Sequence, residues 1–218
     1  MKISKSILIS LFSLSITAIS PFQLASAEEK ETKGVMITHG LQSVDVKHDG
    51  NTVAITRVQE KKNEIVKFYR KTTRGTIQAM HPFAPHAVDT IGEREIIDYI
   101  KKMSEGDSSI IIIDSRTPAW VKRSGVIPGA INIPFTKFSD DAVTLEIMED
   151  EFDVIPGETF NFSNAKTLVM YCNGNWCGQS PTAIRKLLSM GYPAAKIKYF
   201  RGGMQSWAAL GLSVVEVK

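Results

Sequence analysis

The sequence predicts an α/β fold: a parallel sheet with helices on both faces, preceded by a small β-rich N-terminal segment. Three observations carry this reading. From residue 90 onward, apolar runs of strand length alternate with stretches of helical period. Two of those runs, 110–113 and 168–171, are apolar throughout, as in strands buried on both faces. Upstream, Val44, Val46, Val53 and Ile55 alternate with polar residues around an Asp49-Gly50 pair, which reads as a hairpin.

Residues 1–27 have the layout of an export signal. Lys2 and Lys5 give the positive start, 7–19 is apolar apart from serines and a threonine, and Ala25-Ser26-Ala27 is a small-x-small pattern cleaved after Ala27. The apolar stretch is shorter than the ~20 residues that span a bilayer. Contact with a membrane is therefore expected only through the export signal, and the expected location is the periplasm. The chain beyond Ala27 is long enough for two units, 28–87 and 88–218. Lys2 and Lys5 carry two of the three net positive charges, so the remainder is near neutral. Nucleic acid is excluded as a partner, because binding it needs clustered cations against phosphates.

In the first unit the hairpin occupies 43–58, and 65–69 reads as a further short strand inside a charged stretch. His81 and His86 flank prolines at 82 and 85, a surface-loop pattern rather than a metal site. No chemistry is visible in this unit. In the second, Thr90-Ile91-Gly92-Glu93 reads as a capping box, and Ile96, Ile97, Ile100 and Met103 come next at helical spacing. Further strands are expected at 109–114, 130–133, 166–171 and 197–200, and helices at 140–152, 181–190 and 204–210.

Cys172 directly succeeds an apolar strand, at the carboxyl end where open α/β sheets place ligand sites. Asn173, Gly174, Asn175, Trp176, Cys177 and Gly178 then form a loop rich in turn-tolerant residues. Ser180 reads as the N-cap of the next helix and Pro181 as its first residue. Unpaired amides in the loop and at the helix start are expected to point at the Cys172 sulfur and to favour its thiolate. The same cradle would hold the outer sulfur of a persulfide, the intermediate of a covalent transfer. Cys172 and Cys177 could instead staple the loop as a disulfide, or alternate between the two states. The cysteines share one short loop and the histidines lie far upstream, so no metal-ligand spacing occurs, and no cofactor is called for.

Four stretches, in order, resemble the rhodanese family over roughly residues 88–217. They are the Asp114-Ser115-Arg116 strand end, the segment Ser124-Gly125-Val126-Ile127-Pro128-Gly129-Ala130, Tyr171-Cys172, and Tyr199-Phe200-Arg201-Gly202-Gly203-Met204-Gln205-Ser206-Trp207. The resemblance implies a sulfurtransferase with a persulfide at Cys172 and a backbone cradle over 173–178. It implies that Asp114 and Arg116 brace the site, and that Arg201 either helps to hold an anionic substrate or forms a salt bridge. Val126 stands where many relatives have His, and no Arg or Lys lies between Cys172 and Ser180, Arg185 being the nearest cation. The implied partners are a small sulfur-containing anion and a thiol or cyanide-type acceptor. The extra Cys177 adds a redox protein as a further partner and offers a thiol that could resolve the persulfide. A thiol–disulfide redox protein and a non-catalytic binding module are the alternatives.

Overall fold

The structure is a computed structural model and describes residues 34–217. The export-signal reading of 1–27 lies outside the described residues. No described helix is long and apolar enough to cross a membrane.

β1 (Val44–His48) and β2 (Asn51–Ile55) form the expected hairpin, closed by the His48–Asn51 pair. Asp49 and Gly50 both take positive φ, 47° and 78°, a two-residue turn whose twist matches that of the strands. The alternation buries Val44, Val46 and Ile55. Residues 65–69 do not form a strand. The amide of Tyr69 bonds back to the carbonyl of Val66 at 3.0 Å, and with no neighbouring strand to pair with, the stretch curls into turns that bury Tyr69.

Five parallel strands make the main sheet: β3 (Asp89–Ile91), β4 (Ile110–Asp114), β5 (Ile131–Asn132), β6 (Thr167–Tyr171) and β7 (Ile197–Phe200), in the order β3-β7-β6-β4-β5. Five helices accompany them: α1 (Glu93–Ser104), α2 (Pro118–Ser124), α3 (Asp141–Asp150), α4 (Gln179–Ser189) and α5 (Gly203–Ala209). The two-residue side-chain period divides β6 between both faces. Leu168 and Met170 pack with Ile147 and Met148 of α3 and Ile184 and Leu187 of α4. Val169 and Tyr171 pack on the opposite face with Ile96 and Ile100 of α1 and Met204 and Trp207 of α5. The hairpin adds Val44, Val46 and Ile55 to this second cluster, so it shares a core with the sheet.

Several boundaries depart from expectation. Thr90 belongs to the edge strand β3, paired with Tyr199, and α1 begins after Gly92, whose amide donates to the Glu95 carboxylate at 2.9 Å. α4 starts at Gln179, so Ser180 and Pro181 lie inside its first turn rather than at its cap. Proline is tolerated there because amides of the first turn have no intrahelical partner. α2 is an additional helix, opened by an extended Thr117 with Pro118 at its first position.

Candidate active site

β6 runs between β4 and β7 and delivers Cys172 to its carboxyl end. Cys172 is 1% exposed and Cys177 4%, and both thiols are free. A turn bond from the Cys177 amide to the Gly174 carbonyl, 2.9 Å, folds the loop back on itself. Cys172 Sγ then lies 3.5 Å from the Cys177 carbonyl oxygen. The first turn of α5 holds the loop from outside, the amides of Met204 and Gln205 donating to the carbonyls of Cys172 and Asn173 at 3.0 and 2.9 Å. Gly203 makes that approach feasible: its φ is +55°, and a Cβ there would sit 2.3 Å from the Cys172 carbonyl oxygen.

The electrostatics differ from the expected ones. Burial pushes the Cys172 thiol well up, helped by the neighbouring Cys177, and hydrogen bonding from the Ser180 amide and hydroxyl only partly opposes it. Cys177 is brought down to about 7, first by hydrogen bonding from the Cys172 thiol, then, against its own burial, by amides of Asn173 and Gln179 and the Asn173 side chain. The thiolate is therefore favoured on Cys177 over Cys172, the reverse of what helix-start amides alone would dictate.

Asp114 and Arg116, expected from the resemblance to brace the site, form a buried ion pair. Both are wholly buried, with Arg116 Nε 2.9 and 3.0 Å from the two carboxylate oxygens and Nη2 2.5 Å from Oδ2. Nη1 reaches Ser124 Oγ at 2.6 Å and Nη2 the Gly125 carbonyl at 2.6 Å, which ties β4 to the end of α2. Burial works against the guanidinium charge, but the hydrogen bonds and charge of Asp114, with Tyr171 and Tyr69, together raise its pKa.

Tyr69 is a site residue that sequence reasoning missed. Its hydroxyl lies 3.4 Å from Arg116 Nη1 and donates to Asn173 Oδ1 at 3.0 Å. Burial pushes its pKa up to about 12, so the phenol stays protonated and able to donate. With Oδ1 occupied, the Asn173 amide turns Nδ2 toward Cys177 Sγ, 3.9 Å away. The chain after Tyr69 then crosses the loop. The Gln78 amide donates to the Asn175 carbonyl at 2.8 Å, and a Cβ on Gly75 would come within 2.6 Å of the Trp176 carbonyl oxygen. Trp176 Nε1 donates to Gln205 Oε1 at 2.7 Å, and the Trp176 ring joins Trp120 and Phe68 in an edge-to-face series.

The two expected substrate-side cations are directed elsewhere. Arg201 donates through Nε and Nη2 to the Gln78 carbonyl at 3.1 and 2.7 Å, and Arg185 faces the Pro82 carbonyl and the Phe83 ring. Both anchor the 78–83 stretch. Three other groups, Ser115 Oγ, Ser180 Oγ and Tyr199 OH, are buried without an oxygen or nitrogen partner. Ser180 acts on Cys172 in favour of its thiolate, and after burial the largest influences on Tyr199 are the charges of Cys172 and Cys177. A cavity of about 690 Å³ lies beside the loop, lined in part by Lys71, Thr73, Asn175, Trp176 and Arg201; Cys172 is not among its lining residues. Among the described residues no cluster of metal-ligating side chains forms.

A parallel sheet carrying a buried cysteine in a loop closed by a Gly-Gly helix start defines the class. The family model of the rhodanese-like domain matches residues 97–210, more than half of the chain, and the chain belongs to that family. A curated relative, an HTH-type transcriptional regulator of Mycobacterium tuberculosis, is 27% identical over 134 residues, 60% of this chain and 49% of its own. The chain thus spans about half the length of that relative. Among solved structures, a protein of unknown function from Rhodopseudomonas palustris is 24% identical, with a TM-score of 0.44 over 66% of this chain and 98% of its own. A single-domain sulfurtransferase of Saccharomyces cerevisiae is 19% identical, with a TM-score of 0.41 over 59% of this chain and 95% of its own.

Proposed function

We propose that the protein is a sulfurtransferase that moves sulfane sulfur through a persulfide on Cys172. One observation carries the reading: in a rhodanese-like domain, a buried free thiol stands at the carboxyl end of the central strand, enclosed by its own loop. In the first half-reaction the Cys172 sulfur attacks the sulfane sulfur of thiosulfate or another donor. The donor's S–S bond breaks, its electron pair leaves with the remainder of the donor (sulfite, from thiosulfate), and Cys172–S–S⁻ is left. In the second, a thiol or cyanide attacks the outer sulfur and Cys172 departs as thiolate.

Cys172 alone supplies the nucleophile, and the proton its thiol gives up leaves with the released donor fragment. The Ser180 amide and side chain, which favour negative charge on the Cys172 sulfur, support the reading by offering donors to a negative outer sulfur. Asp114, Arg116 and Tyr69 position the loop and exchange no proton with substrate. On the pattern of residues 1–27 we read the protein as exported to the periplasm, where sulfane anions and small thiols would be its partners.

The test is cyanide-dependent formation of thiocyanate from thiosulfate or polysulfide. We expect the wild-type chain to support it and Cys172→Ser to abolish it; product formed by Cys172→Ser at the wild-type rate overturns the proposal. A thiol–disulfide exchange reading is favoured by one fact, that two buried free thiols share one short loop. Under that reading neither chain makes thiocyanate.

A further inference from the structure

Persulfide transfer by Cys172 needs one cysteine, yet the loop surrounds a second one with polar contacts. A buried cysteine without chemistry packs as a small apolar side chain and needs no donor. Cys177 instead has the Asn173 amide aimed at its sulfur, in an orientation set by the Tyr69 hydroxyl at 3.0 Å. Tyr69 is in turn within 3.4 Å of Arg116, whose guanidinium is locked to Asp114. This relay runs from the brace to Cys177 through a residue of the N-terminal segment. Meanwhile the 2.9 Å bond from the Cys177 amide to the Gly174 carbonyl turns the loop so that the Cys177 backbone comes within 3.5 Å of Cys172 Sγ.

We infer that Cys177 is a resolving cysteine: it attacks Cys172 Sγ of the persulfide and expels the outer sulfur as hydrosulfide. The inference rests on the persulfide reading and adds an acceptor built into the chain. Starting from Cys172–S–SH and the Cys177 thiolate, the Sγ–Sγ bond forms as the bond from Cys172 Sγ to the outer sulfur breaks. The outer sulfur takes that electron pair and leaves as HS⁻, reduced from sulfane to sulfide. The two cysteine sulfurs each lose one electron and end as the Cys172–Cys177 disulfide. An external dithiol then reopens it by exchange and is itself oxidised to a disulfide, so that each turnover reduces one sulfane sulfur at the expense of that dithiol. In the reduced chain the Cys177 thiol is brought down to about 7, chiefly by the Cys172 thiol, and the Asn173 contact to its sulfur does not depend on that thiol.

The experiment uses the full chain, reduced and freed of reductant, charged under anaerobic conditions with limiting inorganic polysulfide. Sulfide release and intact mass are followed without added thiol in the wild type, Cys177→Ser, Cys177→Ala and Cys172→Ser. We expect the wild type to release sulfide and finish two hydrogens lighter than its reduced form. Both Cys177 variants should keep one added sulfur on Cys172 and release sulfide at least about tenfold more slowly until dithiothreitol is supplied. Cys172→Ser should take up none. A wild-type chain that holds its persulfide as long as the Cys177 variants, with no disulfide formed, overturns the resolving role and leaves sulfur transfer intact. Failure of both Cys177 variants to gain sulfur at Cys172 overturns the persulfide reading itself.

Discussion

At the scale of the residue, the two cysteines divide one proton unequally. Cys172 lies deepest and its thiol is pushed up by burial, whereas Cys177 collects hydrogen bonds and settles at about 7. Below that value Cys177 is a neutral, unreactive thiol, and above it the thiolate predominates, so alkylation at Cys177 should rise with pH through a midpoint near 7. Peptide mass mapping after iodoacetamide pulses between about pH 5.5 and 9 reads this separately for each cysteine. A Cys177 midpoint at the ordinary thiol value of about 8.5 would mean that the Asn173 and Cys172 hydrogen bonds do not act on it. Arg116 illustrates a different residue-scale effect: its charge survives complete burial because Asp114, Ser124 and the Gly125 carbonyl occupy its donors.

At the scale of the element, the site is a junction between β6, the loop and the start of α5. The junction depends on a helix approaching a backbone carbonyl more closely than any side chain permits. Gly203→Ala would put a methyl 2.3 Å from the Cys172 carbonyl oxygen at a φ of +55°. Since the blocking atom is backbone, the loop or the helix has to move. The strained conformation alone costs about 1–3 kcal/mol, and the shift carries Cys172 with it. We expect Gly203→Ala to lower the denaturation midpoint and to cut thiocyanate formation by more than about tenfold, since small misplacements of a reacting atom are costly in rate. Wild-type transfer in a chain of reduced stability would show that the loop holds its shape without α5. The neighbouring element boundaries obey the same local chemistry. α4 begins two residues earlier than Ser180-Pro181 suggested, because Gly178 can cap a helix whose proline falls within the first turn.

At the scale of the whole molecule, the N-terminal hairpin is part of the structure that presents the site. Val44, Val46 and Ile55 share a cluster with Ile96, Ile100, Tyr171 and Trp207, and Tyr69 and Gln78 continue that contact onto the Cys172 loop. Ile55→Ala should therefore destabilise the molecule in one cooperative transition, by about 2–5 kcal/mol as for other large-to-small core changes. A separate, earlier transition confined to the hairpin, seen by hydrogen exchange, would contradict the shared core. The sequence by itself determined the features that depend on local pattern. Continuous apolar runs marked β4 and β6, Asp49-Gly50 marked the hairpin, and Cys172 stood at a strand end with a turn-rich loop after it. These are legible because side-chain period and turn chemistry act over a few residues. Only the tertiary structure decided that Tyr69 meets Asn173, that the Tyr199 and Ser180 hydroxyls are buried without partners, that Arg201 and Arg185 bind the 78–83 stretch, and that burial raises the Cys172 thiol. Contacts between residues as far apart as 69 and 173 have no local signature, and a pKa set by burial depends on everything packed around the group.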